Sequence, residues 1–138
     1  MTAFVLDCSI AMSWCFEDEA TPKTDALLKL LAEKGALVPS LWPLEAANVL
    51  LVAERNNRLS ESQTLRLVNL LRSLPITVDE STSEQAMGNI LSLGRSHDLS
   101  AYDAAYLELA IREGLPLATL DKKLTKAAKR CGVKTLPQ

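Results

Sequence analysis

The sequence predicts an α/β fold: a three-layer sandwich whose central, mainly parallel sheet of about five strands is flanked by helices. Three observations carry this. Short apolar runs recur at "AFVL", "GALVPS", "ITV", "LATL" and "VKTL", too brief for helices and bounded by turn residues. The stretches between them have helical spacing and capping residues. Strands separated by helices need crossover connections, which makes the strands parallel and puts helices on both faces of the sheet.

The helices are well punctuated. In "TPKTDALLKLLAEKG", Thr21 is the N-cap, Pro22 the first helical residue, Ala26, Leu27, Leu30 and Leu31 an apolar stripe, and Gly35 the stop. "LWPLEAANVLLVAERNNRLS" enters its helix at Pro43, has apolar positions through Val52 and ends near Asn56 and Asn57. "SESQTLRLVNLLRSLP" sets Ser60 and Gln63 at capping-box spacing and stops before Pro75. These two helices form an insertion between strands two and three. A helix then spans "SEQAMGNILSLGRS", Ser100 caps "AYDAAYLELAIREG" with Gly114 as its stop, and "DKKLTKAAKRCG" closes at Gly132.

The 138 residues fit one domain, expected over 1–138, and the 48% hydrophobic, 23% charged composition is that of a soluble globular protein rather than a disordered chain. Apolar stretches such as "ANVLLVA" are too short to cross a bilayer and no basic leader precedes an apolar core, so the expected location is cytoplasmic, without a membrane partner. Cys8, Cys15 and Cys131 lack paired spacing and read as reduced, partly buried thiols, not as a disulfide framework or zinc site. His97 is the single histidine, which excludes Ser-His-Asp, Cys-His and two-histidine metal arrangements within one chain. It reads as a solvent-facing loop residue. The glycines form neither a dinucleotide fingerprint nor a P-loop.

Four acids hold the chemistry. In a parallel sheet, residues that follow different strands share one edge, the edge where open α/β folds place their sites. Asp7 follows strand one and Asp121 follows strand four; if these strands are neighbours, the backbones there stand only ~5 Å apart. Glu45, just after Pro43, and Asp103, three residues past Ser100, can join the same edge. Taken singly, each acid is equally a helix cap or first-turn residue favoured by free N–H groups and the dipole. Taken together they repel: two unit charges ~4 Å apart cost about 4 kcal/mol at an effective dielectric of ~20, so a cation is called for. An all-carboxylate donor set favours Mg²⁺ or Mn²⁺ over zinc. Such an ion supports hydrolysis of a phosphodiester.

These residues resemble the PIN domain family, specifically the VapC-type toxins of prokaryotic toxin-antitoxin pairs, over nearly the whole chain. "FVLDCS" is similar to the family's opening strand with its first acid, Asp7, and a serine, Ser9. "LWPLEAANVL" resembles the segment with the second acid, Glu45, and Asn48 a turn later. "LSAYDAAYLELA" matches the most characteristic motif, which makes Asp103 the third acid. "LATLDKKL" resembles the Thr-x-Asp segment, with Thr119 as an orienting hydroxyl and Asp121 as the fourth acid. The resemblance implies a metal-dependent endoribonuclease that uses Mg²⁺ or Mn²⁺, a toxin that is usually dimeric and is neutralised by a small antitoxin. The expected roles are thus Asp7, Glu45, Asp103 and Asp121 as metal-binding and catalytic acids, with Ser9 and Thr119 behind them.

RNA phosphates need cations. From Arg112 onward seven Lys or Arg face two acids, a local +5, whereas the first 111 residues carry −7. Lys122, Lys123 and Lys126 are therefore expected RNA contacts, and Lys129 and Arg130 extend the cluster; a solvated helix face is the alternative. Arg55 and Arg58 are weaker candidates. Met12, Trp14 and Phe16 in "IAMSWCF" read first as core and second as a groove for a partner helix, and "EDEA" beside them as solvated charge. Two other functions remain open at this point. One is an aspartyl-phosphate phosphotransfer domain with Asp7 as nucleophile, although Ser9 stands where such enzymes carry a second aspartate. The other is a non-catalytic RNA- or partner-binding module that keeps its acids as caps.

Overall fold

The structure is a computed structural model and describes residues 2–138. Its elements run β1 (Phe4–Leu6), α1 (Cys8–Cys15), a 3-10 turn (Glu17–Glu19), α2 (Pro22–Lys34), β2 (Ala36–Pro39), α3 (Trp42–Arg55), α4 (Glu61–Ser73) and β3 (Ile76–Asp79). They continue with α5 (Thr82–Gln85), a π-helical turn (Ala86–Ile90), α6 (Leu91–His97), α7 (Ala101–Glu113), β4 (Leu117–Ala118), α8 (Lys122–Arg130) and β5 (Thr135–Leu136). The five strands form one wholly parallel sheet in the order β3-β2-β1-β4-β5. The expected α/β sandwich is the fold observed, including the α3–α4 insertion between β2 and β3.

The central strand is fully buried: Phe4, Val5 and Leu6 are each 0% exposed. Chain order reverses beside it, with β2 on one side and β4 on the other. That reversal is the topological switch point at which parallel sheets open a crevice beyond their strand ends. Helix α7 packs over β1, β2 and β4 and is itself flanked by α6 and α8, which buries every residue from Ala104 to Ala110.

Local chemistry explains the helix ends. Thr21 and Thr24 exchange the reciprocal bonds of a capping box at α2, and Ser60 and Gln63 do the same at α4. Gly35 ends α2 at φ +82°, a conformation other residues rarely adopt, and a Cβ there would meet the Pro75 carbonyl oxygen at 3.0 Å.

Four expectations need correction. Helix α1 was not anticipated, because Cys8, Ile10, Ala11, Met12 and Ser13 are all buried and burial on several sides removes the apolar alternation that marks a helix. Strand β4 is Leu117–Ala118 alone, not "LATL", because Thr119 and Asp121 turn their polar groups into the crevice network described below. The helix across "SEQAMGNILSLGRS" contains the π turn at Ala86–Ile90, for which the sequence has no marker. His97 is not a loop residue: it closes α6 half-buried, with Nε2 3.3 Å from Cys131 Sγ.

Candidate active site

Asp7 stands where β1 hands over to α1, at the N-cap position, but its side chain caps nothing. It turns to two hydroxyls instead. Oδ2 accepts the Ser9 hydroxyl at 2.7 Å and the Thr119 hydroxyl at 2.7 Å. Each hydroxyl is oriented in turn: Ser9 Oγ accepts the Leu120 N–H and Thr119 Oγ1 accepts the Asp121 N–H, both at 3.0 Å. Two backbone amides after β4 therefore set two hydroxyls, and the hydroxyls set one carboxylate oxygen. The register explains why Thr119 takes this place. Leu6 pairs with Ala118, so the residue across from Asp7 is Thr119, and Asp121 lies two residues farther on, not directly opposite Asp7 as the "LATL" strand implied.

Asp121 does what its position at the start of α8 favours: Oδ1 accepts the Leu124 N–H at 2.8 Å. Its charge still acts across the crevice on Asp7 and Asp103. Glu45, in the first turn of α3, accepts a hydrogen bond from the Tyr106 hydroxyl. Tyr106 is 0% exposed, and burial and the neighbouring Glu45 push its own pKa far up, so the hydroxyl remains a donor. Asp103 sits one turn before Tyr106 on α7, half-buried, while Ser100 caps that helix through the Asp103 N–H at 3.1 Å.

The electrostatics show the convergence. Burial raises the pKa of Asp7, against the Ser9, Thr119 and Cys8 hydrogen bonds, and Asp121 raises it further. Burial also raises that of Glu45, with Tyr106 opposing and Asp7 and Asp103 adding. Asp103 is raised by burial, then by Asp121 and Asp7, with Ser100 and Lys123 opposing. Glu45 and Asp103 each feel two of the other acids, and Asp7 feels Asp121. Among the described residues none of the four forms an ion pair. Equally, among the described residues no three Asp, Glu, His or Cys side chains are gathered into a ready-made ion cage.

Tyr106 is the participant that sequence reasoning missed. It is visible as the second tyrosine of "AYDAAY", three residues past Asp103 and thus on the same helix face, but its apolar surroundings read as core. Of the expected RNA contacts, Lys123 pairs with exposed Asp98 at 3.3 Å beside Asp103, and Lys122 and Lys126 are exposed on α8. Arg58 is committed elsewhere, to Asp18 and Glu19, with its guanidinium 4.3 Å from the Phe16 ring centroid. Met12 and Phe16 are core residues and Trp14 is partly buried, its Nε1 bonded to the Thr24 carbonyl at 2.7 Å. The thiols are unpaired, and burial pushes Cys8 up to about 12 and Cys15 up to about 11.

A parallel sheet with an acid-lined crevice at its switch point defines the class of this protein as a PIN-like α/β domain, a fold generally used by nucleases. The PIN domain model matches residues 4–130, and the chain belongs to the PIN domain family. Members of that family are generally nucleases and typically use divalent metal ions. The crystal structure of PAE2754 from Pyrobaculum aerophilum has the same fold at a TM-score of 0.71 and 24% identity, over 98% of this chain and 91% of that one. No curated protein matches the chain. Among the described residues no helix is long and apolar enough to cross a membrane.

Proposed function

We propose that this chain is a metal-dependent endoribonuclease, a single nuclease domain over residues 1–138 that serves as the toxin of a VapBC-type toxin-antitoxin pair. In this reading it is a cytoplasmic homodimer held inactive by its cognate antitoxin. The observation that carries the nuclease assignment is the carboxylate of Asp7, held on one oxygen by Ser9 and Thr119 beside acids that form no ion pair among the described residues.

The donor set suits a hard divalent cation, because it is all oxygen and carries a net negative charge. Asp7, Glu45 and Asp103 would hold the ion, with Asp121 acting directly or through water. When bound, Mg²⁺ or Mn²⁺ supplies charge neutralisation at the phosphoryl oxygens and a bound water of lowered pKa.

The chain's own residues do the rest. Ser9 and Thr119 keep Asp7 in one rotamer, so its free lone pairs face the crevice. Tyr106 holds Glu45 from the buried side. Lys122, Lys123 and Lys126 on α8 offer charge to the RNA backbone next to the acids.

The deciding experiment incubates the protein with a mixed RNA pool, with and without Mn²⁺, and maps the cut ends. Mn²⁺-dependent internal cuts are expected, together with a rise in thermal stability worth about 2.7 kcal/mol at an ion concentration 100-fold above Kd. Cutting that persists undiminished in EDTA, or an acyl-phosphate trapped on Asp7, would overturn the proposal.

A further inference from the structure

A cavity of about 430 Å³ opens beside the acid crevice and shares Glu45 with it. Leu41 just before α3 and Leu44, Asn48 and Leu51 of α3 line it together with Tyr102 of α7. Leu44 and Leu51 are seven residues apart and so lie on one helix face, and they are 76% and 46% exposed. Tyr102 is 66% exposed and immediately precedes Asp103. It is the exposed member of the six aromatic residues, the others being buried or half-buried. A flat aromatic face, aliphatic walls and an amide with both donors and an acceptor thus meet at the edge of the acids.

We propose that this cavity binds a nucleobase of the RNA, next to the phosphate that is cut. The base stacks on Tyr102 over the Leu44 and Leu51 side chains, and the Asn48 amide meets its polar edge. Single-stranded RNA is recognised in this way, by unstacked bases on aromatic side chains. The shared Glu45 argues for substrate: a base seated here brings its own phosphate to the acids. The inference rests on the nuclease reading and adds to it the site that selects the flanking base.

The test compares wild type, Tyr102→Phe and Tyr102→Ala in Mn²⁺ on a labelled single-stranded RNA with a mapped cut, and on the same RNA made abasic at each nucleotide flanking the cut. Tyr102→Phe is expected to keep KM within about twofold. Tyr102→Ala raises KM about tenfold with kcat nearly unchanged, and the abasic substitution that costs wild type a similar factor costs Tyr102→Ala nothing more. Independent, additive losses, or no loss in wild type that cleaves normally, overturn the base pocket and leave the nuclease reading standing. So does a Tyr102→Ala variant that changes sedimenting mass and shows no coupling to the abasic site, since the cavity then serves a second protein copy. Where wild type does not cut, Kd values for the same RNAs decide: coupled losses keep the pocket and retire the nuclease reading, and uncoupled losses or no RNA binding retire both.

Discussion

Two groups of acids gather at this sheet, and the protein treats them in opposite ways. Asp79 ends β3 much as Asp7 follows β1. Arg112 grips Asp79 with two bonds, at 3.1 and 2.9 Å, and Glu108 with two more, at 2.9 and 3.0 Å. The Arg112 hydrogen bonds hold the Asp79 carboxyl below the usual carboxylate range. In the crevice, Asp7, Glu45 and Asp103 are raised, first by burial and then by neighbouring acids. Acids that serve the fold are neutralised by a fixed arginine; acids left in mutual repulsion are, in the proposed reading, the ones that take up an external cation, and raised pKa values clustered in a cleft are a pointer to a functional site.

The sharpest way to break this comparison is Asp7→Asn. Loss of about 10³-fold or more of Mn²⁺-dependent cleavage is expected, about 4 kcal/mol of barrier, measured as initial rates on a mapped RNA. Melting temperature in EDTA should hold or rise, because the raised pKa of Asp7 means that its charge costs stability. Full activity in this variant would dissolve the functional half of the contrast.

Arg112→Met tests the structural half. Asp79 and Glu108 are 13% and 5% exposed in their side chains, and removal of their common partner leaves two poorly solvated charges. The expected cost is about 3 kcal/mol in urea unfolding, with cleavage by the folded protein within about twofold of wild type. A cost below about 1 kcal/mol would show that the triad is an ordinary surface contact.

Tyr106→Phe keeps the packed ring and deletes one hydroxyl. About tenfold lower kcat/KM is expected from a carboxylate that has lost its orienting donor. The loss should vanish in a Glu45→Gln background, and an undiminished loss there would place the role of Tyr106 in packing alone.

The smallest effect is the pH dependence of the metal-free protein. As pH rises, the unfolded chain releases the protons of Asp7, Glu45 and Asp103 near the ordinary 3.8 to 4.5, while the folded chain holds them to higher pH. Stability from these groups is therefore full below that range and lost as pH climbs through the raised values. Asp79 works in the other direction: its contribution is present above its ordinary 3.8 and is lost as pH falls through its lowered value. Thermal melts in EDTA should show a mildly acidic optimum, and Asp103→Asn should flatten the decline above it. An unchanged decline in that variant would mean that Asp103 does not share in the repulsion.

Much of the frame was legible because its signals are local. Thr21, Ser60, Ser100 and Asp121 all cap the helices that follow them, since a cap is a bond between residues a few positions apart. The four acids were legible as ends of elements. What Asp121 and Thr119 each do was not, because the choice depends on which residue of β4 pairs with Leu6. Tyr106 was hidden for the same reason: a buried phenol reads as core until its partner on another helix is known, and Arg58 read as an RNA contact until the 3-10 turn arrived beside it.

The amino-acid order alone determined the succession of the strands and of the helices other than α1, their caps and the four carboxylates at element ends, because these rest on periodicity and contacts within a turn. The tertiary structure alone decided that β1 lies between β2 and β4, that Thr119 rather than Asp121 faces Asp7, and that Arg112 joins Asp79 to Glu108 while the crevice acids go without. Such pairings are settled by register and burial between segments distant in the chain, and those are properties of the packed whole.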